Sequence, residues 1–154
     1  MKIGKLDSAL HGFESLLAKA VSEWNPEPHD TERKYRDALA KLLKETIDDA
    51  VVETEYRAKG TTVDIHVKKA GLVSSSEVFF EMKRNLKTKT EYDRLVGQIE
   101  QLEPGKCYIF VVLCGETSEM FANRLREKYK KYTFDDLFRT MWIIVQHVGQ
   151  SAAV

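Results

Sequence analysis

The segment 61–84, TTVDIHVKKAGLVSSSEVFFEMKR, decides how the rest of the chain is read. Val63, Ile65 and Val67 alternate with Asp64, His66 and Lys68, and Val78, Phe80 and Met82 alternate with Phe79, Glu81 and Lys83. A period of two puts successive side chains on opposite sides of a strand, so both halves predict β-strands, with a turn inside Gly71 to Ser76. Pairing Lys68 with Glu77 then sets Val67 opposite Val78, Ile65 opposite Phe80, Asp64 opposite Glu81 and Thr62 opposite Lys83. In that register the apolar and the polar sides agree along the whole ladder.

Directly opposed carboxylates repel across a sheet, so Asp64 and Glu81 ask for compensation. One answer is a divalent cation: Mg²⁺ takes oxygen ligands, commonly one or two carboxylates with water and substrate phosphate completing the octahedron. Lys83, two residues beyond Glu81, projects from the same face of the same strand. This trio suits phosphodiester hydrolysis, in which a bound metal polarises the phosphoryl oxygen and makes a nucleophile of water near neutral pH. Lys83 would orient that water and stabilise developing charge, or act as base if its pKa is depressed. Without metal, mutual repulsion should raise the pKa of the clustered acids. The same three positions also read as solvated residues joined by ordinary cross-strand ion pairs. The order of the surrounding elements decides between the two.

Upstream, Val52, Thr54 and Tyr56 alternate with Glu53, Glu55 and Arg57, which adds a first strand turning at Lys59-Gly60 and makes a three-stranded meander. Before it, Tyr35, Ala38, Leu39, Leu42, Leu43 and Ile47 form the buried stripe of a helix with Thr31 as N-cap. Asn25-Pro26-Glu27-Pro28 separates that helix from an earlier one carrying Leu6, Leu10, Phe13, Leu17, Ala20, Val21 and Trp24. The apolar face of this first helix could pack on the domain or on a second subunit. Downstream, Thr88 and Glu91 have capping-box spacing ahead of a helix with Tyr92, Leu95, Val96, Ile99 and Leu102 on one face, stopped by Pro104-Gly105. CYIFVVL at 107–113 is apolar without alternation, as a central strand covered on both faces would be. A helix with Phe121, Leu125 and Tyr129 and a last strand, MWIIV at 141–145, complete an order α, α, βββ, α, β, α, β. The expected organisation is an N-terminal helix at 1–25, one α/β domain at 29–148 and a tail at 149–154.

A chain of 154 residues suits one domain, and 43% hydrophobic with 31% charged residues is the balance of a globular protein and not of a disordered tail. No apolar run approaches the ~18 residues of a membrane span, and the start lacks the uninterrupted apolar core of a secretory signal, so a cytoplasmic location without membrane attachment is expected. Cys107 and Cys114, at the two ends of one strand, would lie roughly 23 Å apart and could not pair. Twenty-four basic side chains balance twenty-four acidic ones, so no global basic footprint points to nucleic acid. Local runs are basic: 83–94 holds five basic and two acidic residues, and 124–131 five basic and one acidic. The chain lacks a GxxxxGK[ST] loop, a GxGxxG turn and a CxxC pair.

An acidic residue in a first helix, a meander carrying Asp and Glu-x-Lys, then helix and strand, resembles the PD-(D/E)XK, or restriction-endonuclease-like, nuclease superfamily over residues 30–114. The pieces are Glu32 in TERKYRDALAKLL, Asp64 in GTTVDIHV, and Glu81 with Lys83 in VFFEMKRN. In layout it looks most like archaeal Holliday-junction resolvases and short restriction-type nucleases. The resemblance implies an αβββαβ core with a mixed central sheet, Mg²⁺ or Mn²⁺ held by Asp64, Glu81 and the main-chain carbonyl of Met82, and Lys83 orienting water. Glu32 would reach the metal directly or through water; it also reads as a first-turn acid suited to a helix N-terminus. The family usually has Pro before the Asp, where this chain has Val63. Gln98 matches a glutamine of one exonuclease-like branch, whose following tyrosine is here Leu102.

Glu55, paired across Lys59-Gly60, would lie beside Asp64 as a third acid or a decoy. His66 shares that side and reads as a surface residue; His11, His29 and His147 form no cluster. The leading expectation is a metal-dependent DNA endonuclease, with Arg84, Asn85, Lys87, Lys89 and Arg94 contacting phosphates, working as a homodimer or inside a larger nuclease or defence complex. An inactive module that binds nucleic acid or protein, and an RNA-cleaving enzyme of the same fold, remain alternatives.

Overall fold

A computed structural model of the chain describes residues 12–70, 75–132 and 143–148. Leu6, Leu10 and His11, the 71–74 part of the predicted turn, the 141–142 start of the last predicted strand and the 149–154 tail lie outside the described residues, as does the His147 side chain.

The described elements follow the order read from the sequence. Helices α1 (Phe13–Glu23) and α2 (Glu32–Thr46) precede strands β1 (Ala50–Ala58), β2 (Thr61–Ala70) and β3 (Ser75–Arg84). Helix α3 (Lys89–Gln101), β4 (Tyr108–Cys114), α4 (Glu119–Lys128), a 3-10 turn at Lys130–Tyr132 and β5 (Ile143–Val148) complete them. The caps behave as their chemistry requires. Thr31 accepts the Lys34 N–H at 3.2 Å and Thr88 accepts the Glu91 N–H at 3.2 Å, each satisfying one orphan donor of a first helical turn.

The five strands form one mixed sheet in the order β1-β2-β3-β4-β5, antiparallel among the first three and parallel from β3 to β5. The β1–β2 turn has Lys59 at φ 51° and Gly60 at φ 79°, the positive pair that suits the strand twist of a tight hairpin. The predicted β2–β3 register holds where Lys68 faces Glu77, Val67 faces Val78 and Ile65 faces Phe80, but the ladder ends there, so the expected Asp64–Glu81 and Thr62–Lys83 pairs are not part of it. β4 lies between β3 and β5, and from Ile109 to Cys114 every residue is buried. Cys107 and Cys114 are buried, unpaired thiols.

Helices cover both faces. Phe13, Leu17 and Val21 of α1 and Tyr35, Leu39 and Leu43 of α2 pack with Ile65, Val67, Val78, Phe80 and Phe110 on one side. Tyr92, Leu95 and Ile99 of α3 and Phe121 and Leu125 of α4 pack with Val63, Phe79, Ile109 and Val111 on the other. The apolar stripe of α1 is therefore spent on its own domain, one of its two expected uses. Among the described residues no helix is long and apolar enough to cross a membrane.

Two sequence expectations need correction. The side of the hairpin bearing His66, Phe79 and Glu81 is not a solvent face: the three residues are 3%, 4% and 1% exposed, because α3 and α4 lie over that side. Nor do the apolar residues of β2 share one face, since Val63 belongs to the α3/α4 cluster while Ile65 and Val67 belong to the α1/α2 cluster. Alternation breaks at Asp64, between them. On β1 the same level is disturbed: Thr54 pairs with Ile65, Tyr56 with Val63, and Glu55 between them has φ 54°. A strand that changes face within one residue gives the side chain at the break a direction that neither face dictates.

Candidate active site

Asp64 uses that freedom to reach β3. The β2–β3 ladder closes with Ile65 opposite Phe80, and beyond it the Asp64 Oδ2 accepts the Met82 backbone N–H at 2.7 Å. A carboxylate thus takes a main-chain hydrogen, which fixes one oxygen of Asp64 to the Glu81-Met82-Lys83 segment. Glu81 is the less comfortable acid. Both of its carboxylate oxygens are buried with no hydrogen-bond partner among the described residues. Leaving an ionised carboxylate in that state costs several kcal/mol even after relaxation, more than an ordinary hydrogen bond returns.

Protonation is one way out, and the electrostatics run in that direction. Burial, reinforced by the charges of Asp64 and Glu32, raises the Glu81 pKa to about 9. Burial also raises Asp64, to about 6, with the Met82 N–H opposing the rise, Glu32 adding to it and the Arg36 charge opposing it. The expected upward shift is present, with removal from water as the larger cause and repulsion the smaller. Two charged carboxylates are both acceptors, so their contact becomes favourable when one holds a proton.

Glu32 and Glu91, from the first turns of α2 and α3, meet the end of β3. Glu32 Oε2 accepts the Arg84 backbone N–H at 2.9 Å and lies 4.0 Å from the Lys83 ammonium. Glu91 Oε2 is nearer to that ammonium, at 3.3 Å, while its other oxygen accepts the Thr88 hydroxyl at 2.9 Å. Lys83 is thus suspended between two acids from helices on opposite sides of the sheet. The sequence marks Glu91 as a capping-box residue, and nothing local announces that the cap holds Lys83. Arg36, one helical turn after Glu32, was equally illegible: it is 8% exposed, pairs with Asp37 at 2.9 Å and Glu55 at 3.0 Å, and lends Asp64 a positive charge.

The other candidates divide. Glu55 does not join the acids; its positive φ accompanies the ion pair with Arg36 instead. Gln98 is half-buried on α3, two helical turns or about 10 Å beyond Glu91, and makes no hydrogen bond to these groups among the described residues. His66 is buried, not superficial: its Nε2 lies 2.6 Å from Glu77 and its ring stacks on Tyr56 with centroids 3.9 Å apart. Arg84 spends its Nε on the His29 carbonyl at 3.0 Å. Asn85, at φ 54°, receives the Glu116 N–H on Oδ1 at 2.8 Å and donates its own N–H to the Cys114 carbonyl at 2.9 Å, joining the loops after β3 and β4. Lys87 and Lys89 are exposed and paired with Glu116 and Asp93, at 2.7 and 2.6 Å. Arg94 is exposed.

The donor set fits a hard divalent cation in part. Asp64 and Glu81 offer oxygens at one place, and the unsatisfied Glu81 carboxylate is the kind of orphan that a cation resolves. Among the described residues no three His, Cys, Asp or Glu side chains are gathered as a ready metal cluster. Two carboxylates with water match the habit of Mg²⁺ better than that of structural zinc.

No family model, no curated protein and no solved structure matches the chain.

Proposed function

We propose that the protein is a divalent-metal-dependent nuclease, most simply a DNA endonuclease, whose site is Asp64, Glu81 and Lys83 at the carboxyl end of β3. The observation that carries this reading is the Glu81 carboxylate, 1% exposed, without a hydrogen-bond partner among the described residues and beside Asp64. Strongly perturbed carboxylates of this kind cluster at sites where chemistry uses them. The architecture adds support. An α-helix, a three-stranded antiparallel meander, a helix and a strand parallel to β3 occur in the order of the restriction-endonuclease-like core, and the acids lie at the strand ends where open α/β sheets hold ligands.

In this proposal Asp64 and Glu81 hold Mg²⁺ or Mn²⁺, with the Met82 carbonyl as a further ligand and Glu32 behind them. When bound, the metal supplies Lewis acidity toward the phosphodiester and lowers the pKa of water. The remaining work falls to the chain. Met82 N–H fixes Asp64, leaving its second oxygen to bind. Loading a metal there would require Glu81 to give up its proton, so binding would be coupled to proton release near neutral pH. Lys83, steadied by Glu91 and Glu32, orients the attacking water and stabilises charge developing on phosphate.

Incubation with supercoiled plasmid, linear duplex, branched DNA and single-stranded RNA, in Mg²⁺, Mn²⁺ or EDTA, tests the reading. Metal-dependent cleavage that disappears in Asp64→Asn and Lys83→Ala, both folded, supports it. No cleavage with any substrate, together with no metal-dependent thermal shift, would leave a module that only binds, and cleavage confined to RNA would move the substrate class.

A further inference from the structure

Most of the residues expected to contact phosphate in the 84–94 run already have partners within the protein. Arg84 donates to the His29 carbonyl, Asn85 bridges the loops after β3 and β4, and Lys87 and Lys89 are paired with Glu116 and Asp93, while Arg94 is exposed. The second basic run is arranged differently. Arg124, Lys128 and Lys131 are all exposed, and each lies over an aromatic ring. The Arg124 guanidinium is 5.6 Å from the Tyr92 centroid and 5.4 Å from that of Phe121. Lys128 is 5.8 Å from Tyr129, and Lys131 is 4.9 Å from Tyr132. Among the described residues no carboxylate pairs with any of the three. A cation resting on a ring keeps its charge and most of its donors while losing side-chain freedom, so it meets a phosphate partly ordered.

We propose that Arg124, Lys128 and Lys131, along α4 and the 3-10 turn after it, hold the phosphodiester backbone of duplex DNA in place of Arg84, Lys87 and Lys89. The track is continuous with the site: Lys83 meets Glu91, and the next residue, Tyr92, carries Arg124. From 124 to 131 the helical rise is about 10 Å, and one strand of duplex presents a phosphate roughly every 3.4 Å of axis, so about three contacts fit. The choice of DNA as the polyanion rests on the nuclease reading; the location of the surface does not.

The test is fluorescence anisotropy of the full chain with a short labelled duplex, in EDTA, across a salt series. The Arg124→Ala/Lys128→Ala/Lys131→Ala variant is expected to bind at least ~10-fold more weakly near ~100 mM salt, with the slope of log K against log salt reduced in magnitude by about 2 to 3. The control is Lys19→Ala/Lys41→Ala/Lys44→Ala, which removes the same charge from exposed positions of α1 and α2, across the sheet. Its slope should change by less than about 1. Equal losses in both variants, an unchanged slope in the first, or no duplex binding by the wild type at low salt would each overturn the proposal. Because binding is read without metal, a protein that binds duplex through this surface but never cleaves it would sink the nuclease reading and leave this one standing.

Discussion

The backbone N–H of Met82 donates to Asp64 Oδ2 at 2.7 Å, across two strands whose regular ladder has just ended at Ile65 and Phe80. One carboxylate therefore has a structural and a proposed chemical task at once, and substitutions separate them. Asp64→Asn keeps an oxygen for the Met82 N–H and should fold with nearly unchanged stability while losing cleavage by at least ~100-fold, as loss of a metal ligand costs no less than loss of an outer-shell partner. Asp64→Ala also strands the N–H and should lose a further ~1–3 kcal/mol, read as a lower urea midpoint. Equal stability of the two variants would contradict the role of this hydrogen bond.

Metal-free stability should fall as pH rises. Glu81 is raised from 4.5 to about 9 and Asp64 from 3.8 to about 6, so between those limits the folded state binds more protons than the unfolded state. The stabilisation is complete below pH ~4 and is lost progressively as pH climbs through the folded values. Thermal melts in EDTA should therefore drop from pH 5 to pH 9 by an amount equivalent to a few kcal/mol, and Glu81→Gln, which stays neutral, should flatten most of the slope. A wild-type melting profile that is level across this range would remove the basis for an uncompensated Glu81.

Glu91 should affect catalysis more than its cap position suggests. Glutamine can serve in a capping box, so Glu91→Gln should change stability by less than ~0.5 kcal/mol. It nevertheless removes the nearer anion holding Lys83, and kcat should fall ~3- to 10-fold with KM little changed, against ~100-fold or more for Lys83→Ala. Thr88→Ala supplies the complementary case: it costs about 1 kcal/mol of helix stability through the lost cap. If Glu91→Gln and wild type have the same kcat, Lys83 is positioned by something else.

Arg36→Gln separates charge screening from packing. The partners of Arg36 are more than half exposed, so breaking both ion pairs should cost only ~1 kcal/mol or slightly more. Arg36 also lowers the Asp64 pKa, and without it that pKa should move further up. The acidic limb of the pH–rate profile should shift toward higher pH with it. An unshifted limb would mean that Arg36 acts through the fold alone.

Sequence by itself determined the elements, their order and the β2–β3 register from Lys68–Glu77 to Ile65–Phe80, because each follows from short-range regularities: period-two alternation around Val67 and Val78, helical spacing after Thr31 and Thr88, and the unalternating run of β4. It also brought Asp64, Glu81 and Lys83 to one end of one hairpin. What it could not determine is which side of that hairpin meets water, since a strand with a polar-looking face is read the same way whether or not α3 and α4 later cover it. Only the tertiary structure buried Glu81, sent Val63 and Ile65 to opposite cores, drew Glu55 to Arg36 and placed Glu91 on Lys83. Those outcomes depend on long-range packing of two helical layers against one sheet, and the energy of a buried charge depends on that packing far more than on its neighbours in the chain.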